Sequence, residues 1–350
     1  MQSDGNFVLY GRESCSCRRE DDTVFWSSGA MGSYALILLR RNGNVAIFGP
    51  SSFSIRNTQL HTIMVQMVQR QSMMNGARLQ NVIKRVAMEP GISCWHCFHC
   101  KGGSYNLCPD MKFFATPPIH GSLADQVVHP ADLCFKLPEN MSLEEGAMCE
   151  PLSVGVHACR CANVSAETTV LILGAAGPIG LVTMLTARSF GAPKIVLVDV
   201  DSHRLSVAKK LGPDAVVQVS TNTEDVNNEV AQIQEAMGVG IDVTFDCVGF
   251  SKTMTTALTA TTSGGKVCLV GMGHNEMKVP LTPAAAREVD IVGIFRYKNT
   301  WPLCIDLINP GKIDVKPLIT HRFGFSQDEV EKAFETSAKG SDAIKVMLNL

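Results

Sequence analysis

At 350 residues, 45 % hydrophobic and 18 % charged, the chain has the composition of a globular protein large enough for more than one core. A formal net charge of -2 argues against nucleic acid or an anionic membrane surface as the main partner, since both favour basic patches, and leaves small molecules. No apolar run is long enough for a bilayer and the opening Met1-Gln-Ser-Asp-Gly does not read as a signal peptide, so a cytosolic, reducing setting is expected, in which clustered members of the thirteen cysteines point to metal rather than disulfides.

In the first 55 residues, Gln2, Asp4, Asn6, Val8 and Tyr10 alternate, which places all five side chains on one face of a strand. The stretch resembles the bulb-type mannose-binding lectins of plants, whose Gln-x-Asp-x-Asn-x-Val-x-Tyr signature it matches in full. The resemblance implies a small all-β fragment over residues 1–55 in which Gln2, Asp4, Asn6 and Tyr10 hydrogen-bond a sugar. A second copy, from Arg40 to Phe48, keeps only Asn44 of the five positions. A repeat fold with missing units leaves hydrophobic faces uncovered, so a remnant that binds no sugar is the favoured expectation. Cys15 and Cys17, in an Arg-rich insertion, read as free thiols.

Over residues 56–85, Leu60, Ile63, Met64, Met67 and Val68 follow helical spacing and Asn75-Gly76 offers a stop, which predicts a short amphipathic helix or a linker. Beyond it, Cys94, Cys97, Cys100 and Cys108 are spaced Cys-x2-Cys-x2-Cys-x7-Cys. Four thiolates in one loop close tetrahedrally around a structural zinc and leave no open position for substrate. The complete set of sulfurs makes His96 and His99 unnecessary as ligands.

The stretches Val86-Ala-Met-Glu-Pro-Gly-Ile-Ser-Cys94, Met111-Lys-Phe-Phe-Ala-Thr-Pro-Pro118, His120-Gly-Ser-Leu and Met148-Cys-Glu150-Pro-Leu-Ser-Val-Gly-Val-His157 resemble the sorbitol dehydrogenases of plants, within the zinc-containing medium-chain alcohol dehydrogenases. The resemblance runs from about residue 85 to Leu350. It implies an incomplete GroES-like β catalytic domain over 86–155, a Rossmann NAD-binding domain over 156–298 and a return to the catalytic domain over 299–350. It also implies roles. Glu150 matches the carboxylate near the catalytic zinc, Phe114 and Thr116 line the polyol pocket, and Arg296 and Tyr297 reach the polyol hydroxyls. The family's other zinc ligands lie in Ile-Cys-Gly-Ser-Asp and Gly-His-Glu motifs, and neither occurs in this sequence. One structural zinc is therefore expected, with Glu150 as the remnant of a catalytic site.

From Thr168 strands and helix-length segments alternate, the pattern of an α/β doubly wound parallel sheet. Strands are predicted at Val170–Leu173, Ile195–Asp199, Ala215–Val219, Ile241–Asp246, Lys266–Gly271 and Asp290–Phe295. The first ends in Gly174-Ala-Ala-Gly177-Pro178-Ile179-Gly180, with Asp199 19 residues beyond the last glycine. Strand, glycine turn, helix and terminal acid together form a dinucleotide fingerprint, stretched by one alanine. Asp199 would accept from the adenosine ribose and repel the extra phosphate of NADP, which favours NAD. By resemblance Arg204 lies at the adenine end, and Val270 and Gly271 lie beside the nicotinamide path.

Three functions follow: NAD-dependent oxidation of a sugar alcohol to a ketose, binding of NAD and structural zinc without turnover because most catalytic zinc ligands are absent, and mannose binding. The expected partner is a small polyol, with no nucleic acid or membrane, and a homo-oligomer is left open.

Overall fold

The computed structural model describes residues 34–35, 63–65, 68–71, 82–124, 126–221, 226–340 and 342–349. The lectin-like signature residues Gln2, Asp4, Asn6 and Tyr10 lie outside them. Among the described residues no helix is long and apolar enough to cross a membrane.

Six parallel strands form the central sheet, in the spatial order Ala215–Gln218, Ile195–Asp199, Val170–Leu173, Val243–Asp246, Lys266–Leu269 and Asp290–Gly293. Val170 pairs with Ile195 on one side and Val243 on the other, so the chain reverses its winding direction beside the first strand. That reversal opens a crevice at the carboxyl ends of the strands, where a doubly wound sheet receives its ligand. Val170–Leu173 is buried at every position, as a strand covered on both faces must be. Helices Cys149–Ala162 and Pro178–Ser189 cover one face with Leu152, Val156, Leu181 and Met184. Val226–Met237 and Ser251–Ala260 cover the other with Ile233, Met237, Met254 and Leu258.

The remaining elements form smaller sheets. Val82–Met88 pairs antiparallel with Val68–Gln71 and with Cys134–Lys136. Lys345–Leu348 lies between Ile319–Phe323 and Ile63–Val65, parallel to both. The helix expected over Thr58–Met74 is therefore corrected, because Ile63–Val65 and Val68–Gln71 are strands. The apolar positions there fit either period, and the two open sheet edges offered by Val346–Leu348 and Val82–Arg85 decide in favour of strand. The linker expected over 56–85 accordingly carries sheet structure, and the strand Val82–Met88 runs across its expected end.

Candidate functional site

The glycine turn begins with Gly174 at φ 67°, where a Cβ would stand 2.3 Å from Val248 Cγ2. Gly180, in the first turn of the following helix, packs so closely that a Cβ would lie 2.6 Å from both Ala175 Cα and Gly174 O. Pro178 occupies the first turn of Pro178–Ser189, and Gly177 caps it without a side-chain bond. The first-turn N–H groups have no acceptor within the helix, and the helix dipole adds positive potential, so this end suits a pyrophosphate. Ala175 and Ala176 are buried, while Gly177, Pro178 and Ile179 reach the surface of the crevice.

The inserted alanine finds its role in the backbone. Ala176 N–H donates to Asp199 Oδ2 at 2.9 Å, while Val200 and Asp201 N–H donate to Oδ1 at 2.8 and 3.1 Å. Three bonds hold the carboxylate at the end of its strand, with lone pairs left for ribose hydroxyls. Asp201 caps the next helix by accepting from Arg204 N–H at 3.0 Å, and the Arg204 guanidinium donates to Ala343 O at 3.2 Å. Val270 and Gly271 N–H both donate to Asp246 O, at 2.9 and 2.8 Å. The Asp246 side chain accepts from Val248 N–H, Gly249 N–H and Thr253 Oγ1, and burial raises its pKa against those bonds. Asp246 is thus a buried turn organiser that carries no spacing signal in the sequence.

Glu150 enters from the first turn of Cys149–Ala162 and is half-buried. Around it the structure gathers Arg296, Tyr297 and Lys345, all electrostatically linked to its carboxylate. Tyr297 is 2 % exposed, and burial, reinforced by Glu150, pushes its phenol well above the ordinary range. Lys345 is fully buried, and burial lowers its ammonium to about 8 against the opposing pull of Glu150. Nothing in the local sequence marks Lys345, whose burial follows from its place in the middle strand of a three-stranded sheet. The Arg296 guanidinium lies 3.9 Å from the Phe113 ring centroid and 4.8 Å from that of Phe295. Phe114 packs instead on His129, ring centroids 5.0 Å apart, and Thr116 is exposed on the turn that follows. Glu150, Arg296 and Tyr297 thus come together, and the Phe113 ring lies against Arg296.

All four sulfurs of Cys94, Cys97, Cys100 and Cys108 lie within 4.8 Å of one another, and those of Cys94 and Cys100 are 3.9 Å apart. Zinc–thiolate bonds of about 2.3 Å imply a tetrahedron with edges of about 3.8 Å, so the set fits zinc. Backbone N–H groups point at the sulfurs: Cys94 N–H at Cys108 (3.3 Å), Cys97 N–H at Cys94 (3.4 Å) and Cys100 N–H at Cys97 (3.4 Å). A backbone hydrogen bond from His96 leads the causes that lower the Cys94 thiol to about 6, while burial pushes the Cys108 thiol up to about 12, so it is the geometry of the four sulfurs that carries the assignment. Among the described residues this is the one group of three or more His, Cys, Asp or Glu able to hold a metal. A catalytic zinc needs about three protein ligands, and among the described residues no such set gathers around Glu150.

A six-stranded sheet with a dinucleotide turn, joined to a four-cysteine loop and a Glu-Arg-Tyr cluster, defines a nucleotide-dependent oxidoreductase. Residues 178–309 match the zinc-binding dehydrogenase family and residues 76–139 the alcohol dehydrogenase GroES-like domain. The chain is 77 % identical over 266 residues to a sorbitol dehydrogenase of Arabidopsis thaliana, covering 76 % of this chain and 73 % of that protein. It is 69 % identical over 277 residues to an L-idonate 5-dehydrogenase of Vitis vinifera, covering 79 % and 75 %. Among solved structures, an oxidoreductase/dehydrogenase of unknown specificity from Escherichia coli superposes with a TM-score of 0.73 at 32 % identity, covering 85 % of each chain. The chain belongs to the zinc-binding alcohol dehydrogenase family, enzymes whose cofactors are NAD and zinc.

Proposed function

We propose that this chain is a polyol dehydrogenase of the sorbitol type. A sugar alcohol would give up a hydride from carbon to the nicotinamide of NAD and a proton from its hydroxyl, leaving a ketose, NADH and a proton. The observation that carries the reading is the convergence of Glu150, Arg296 and Tyr297 in a chain that also has the Asp199 turn. Arg296 would donate several hydrogen bonds to a hydroxylated chain, with its guanidinium plane braced on Phe113. Asp199 would hold the adenosine ribose and disfavour NADP. The four cysteines would hold the structural zinc. The names of the two plant relatives, one acting on sorbitol and one on L-idonate, support a polyhydroxylated substrate.

A second reading has its own observation. The sequence contains neither Ile-Cys-Gly-Ser-Asp nor Gly-His-Glu, and Glu150 alone does not make a zinc site. On that reading the chain binds NAD and one zinc without turnover. Metal analysis alongside a sorbitol and NAD assay separates the two. NADH formation with about two zincs per chain supports the dehydrogenase. One zinc, intact NAD binding and no NADH supports the second reading and overturns the first.

A further inference from the structure

The segment from Phe295 to Thr300, which carries Arg296 and Tyr297, departs from ordinary backbone geometry twice. Arg296 has φ 51° and Asn299 φ 52°, both in the left-handed region that residues other than glycine seldom enter. Such a conformation persists where surrounding contacts over-determine it. Here the contacts come from a distant part of the sequence, inside the four-cysteine loop. Asn106 Nδ2 donates to Phe295 O at 2.9 Å, immediately before the first left-handed residue. Lys298 Nζ donates to Ser104 Oγ at 2.7 Å. At the second left-handed residue, Asn299 N–H donates to Tyr105 Oη at 2.7 Å and Asn299 Nδ2 to Gly103 O at 3.2 Å. A fifth bond, from Arg160 Nη1 to Asn299 O at 2.7 Å, comes from the helix that bears Glu150.

The four latch residues, Gly103 to Asn106, stand between the third and fourth cysteines. Gly103 N–H donates to Cys100 O at 3.0 Å, Ser104 N–H to His99 O at 2.8 Å, and Cys108 N–H to Tyr105 O at 3.0 Å. Their placement therefore depends on how Cys100 and Cys108 are held together. Asn106 is 5 % exposed, so its amide reaches Phe295 O with water excluded. An unbroken chain of bonds runs from the cysteine cluster through Gly103–Asn106 to the segment that presents Arg296 over Phe113.

We infer that Ser104, Tyr105 and Asn106 are positioning residues for Arg296 and Tyr297, and that closing the four-cysteine loop on a metal sets the geometry of the substrate side of the site. The inference rests on the reading of Arg296 and Tyr297 as polyol contacts. The loop thereby does more than stabilise its own fold, because it fixes a strained segment of another part of the chain.

The test uses the full chain, zinc-loaded and after stripping with pyridine-2,6-dicarboxylate, followed by amide hydrogen exchange of peptides covering residues 294–301. Stripping is expected to speed exchange at Arg296 to Asn299 about tenfold or more, together with residues 94–108. In zinc-loaded Asn106→Ala the same amides should already exchange fast, with metal content unchanged. The milder Ser104→Ala, which removes only the Lys298 bond, should give an intermediate rate. By calorimetry, Asn106→Ala should weaken sorbitol binding to the NADH-loaded protein about tenfold and leave NADH affinity unchanged. Exchange at 296–299 that stays slow after stripping, or in both variants, overturns the inference. A zinc-dependent exchange rate with sorbitol affinity untouched by Arg296→Ala would instead reject the polyol reading, so the two failures are distinguishable.

Discussion

Asp199 accepts three backbone N–H bonds, one of them from Ala176, the residue by which the glycine turn exceeds the usual spacing. The longer turn thus supplies a donor to the acid instead of spoiling the site. Asp199→Asn keeps the size of the side chain but removes its charge and turns one acceptor into a donor facing N–H groups. We expect NAD affinity to fall about tenfold, about 1.4 kcal/mol, and the preference over NADP to narrow, both measured by titration calorimetry. An unchanged ratio of the two affinities would contradict the role given to Asp199. At this scale the residues that could be read from the sequence are those whose chemistry lies in local spacing: the four cysteines, the glycines and the acid that ends the second strand of the nucleotide sheet. Glu89, His129 and Lys345 could not be read in that way. Tyr105 Oη donates to Glu89 Oε1 at 2.8 Å, His129 Nε2 donates to Glu89 O at 2.7 Å, and Lys345 reaches Glu150 only through sheet order. Their partners are brought together by tertiary structure, which no local pattern records.

Among the elements, the six strands of the nucleotide sheet were legible because each is a short apolar run bounded by turn residues and separated by helix-length segments. Residues 58–74 were not, since Leu60, Ile63, Met64, Met67 and Val68 satisfy a helical period while the element that forms is decided by sheet edges elsewhere in the chain. Tertiary pairing overrides a weak local preference in such a short run. The junction of the first strand with the first helix makes a sharper demand. At Gly180 the atoms nearest a Cβ are Ala175 Cα, Gly174 O and Ala175 O, all backbone, at 2.6 to 2.8 Å. No flexible side chain is there to yield, so the helix must shift away from the strand. Gly180→Ala is expected to cost about 2–4 kcal/mol and to reduce NAD binding, because the helix end and the Asp199 contact move together. Thermal unfolding with and without NAD measures both effects. Full stability in this variant would show that the turn relaxes freely.

For the molecule as a whole, burial of ionisable groups away from the nucleotide turn shapes its response to pH. Burial lowers His129 and His157 to about 4 from 6.5, and pushes Glu89 up to about 7 from 4.5 although the Tyr105 hydrogen bond opposes it. Between about pH 4.5 and 6.5 the two histidines are protonated in the unfolded chain and neutral in the folded one. Their contribution is present above pH 6.5 and lost as pH falls towards 4. Glu89 behaves oppositely, being protonated in the folded chain and ionised in the unfolded one, so its contribution is complete below pH 4.5 and lost as pH rises through 7. For these three groups the unfolded state holds two protons and the folded state one in that window. Stability from them therefore rises with pH by about 1.4 kcal/mol per unit. Glu89→Gln removes the opposing proton and should steepen the dependence to about 2.7 kcal/mol per unit, while its amide can still accept from Tyr105. Denaturant unfolding of both proteins at half-unit intervals from pH 4.5 to 6.5 measures the difference in slope, to which titration common to both contributes nothing. Parallel curves would mean that Glu89 is ionised in the folded protein, and that the Tyr105 hydrogen bond outweighs its burial.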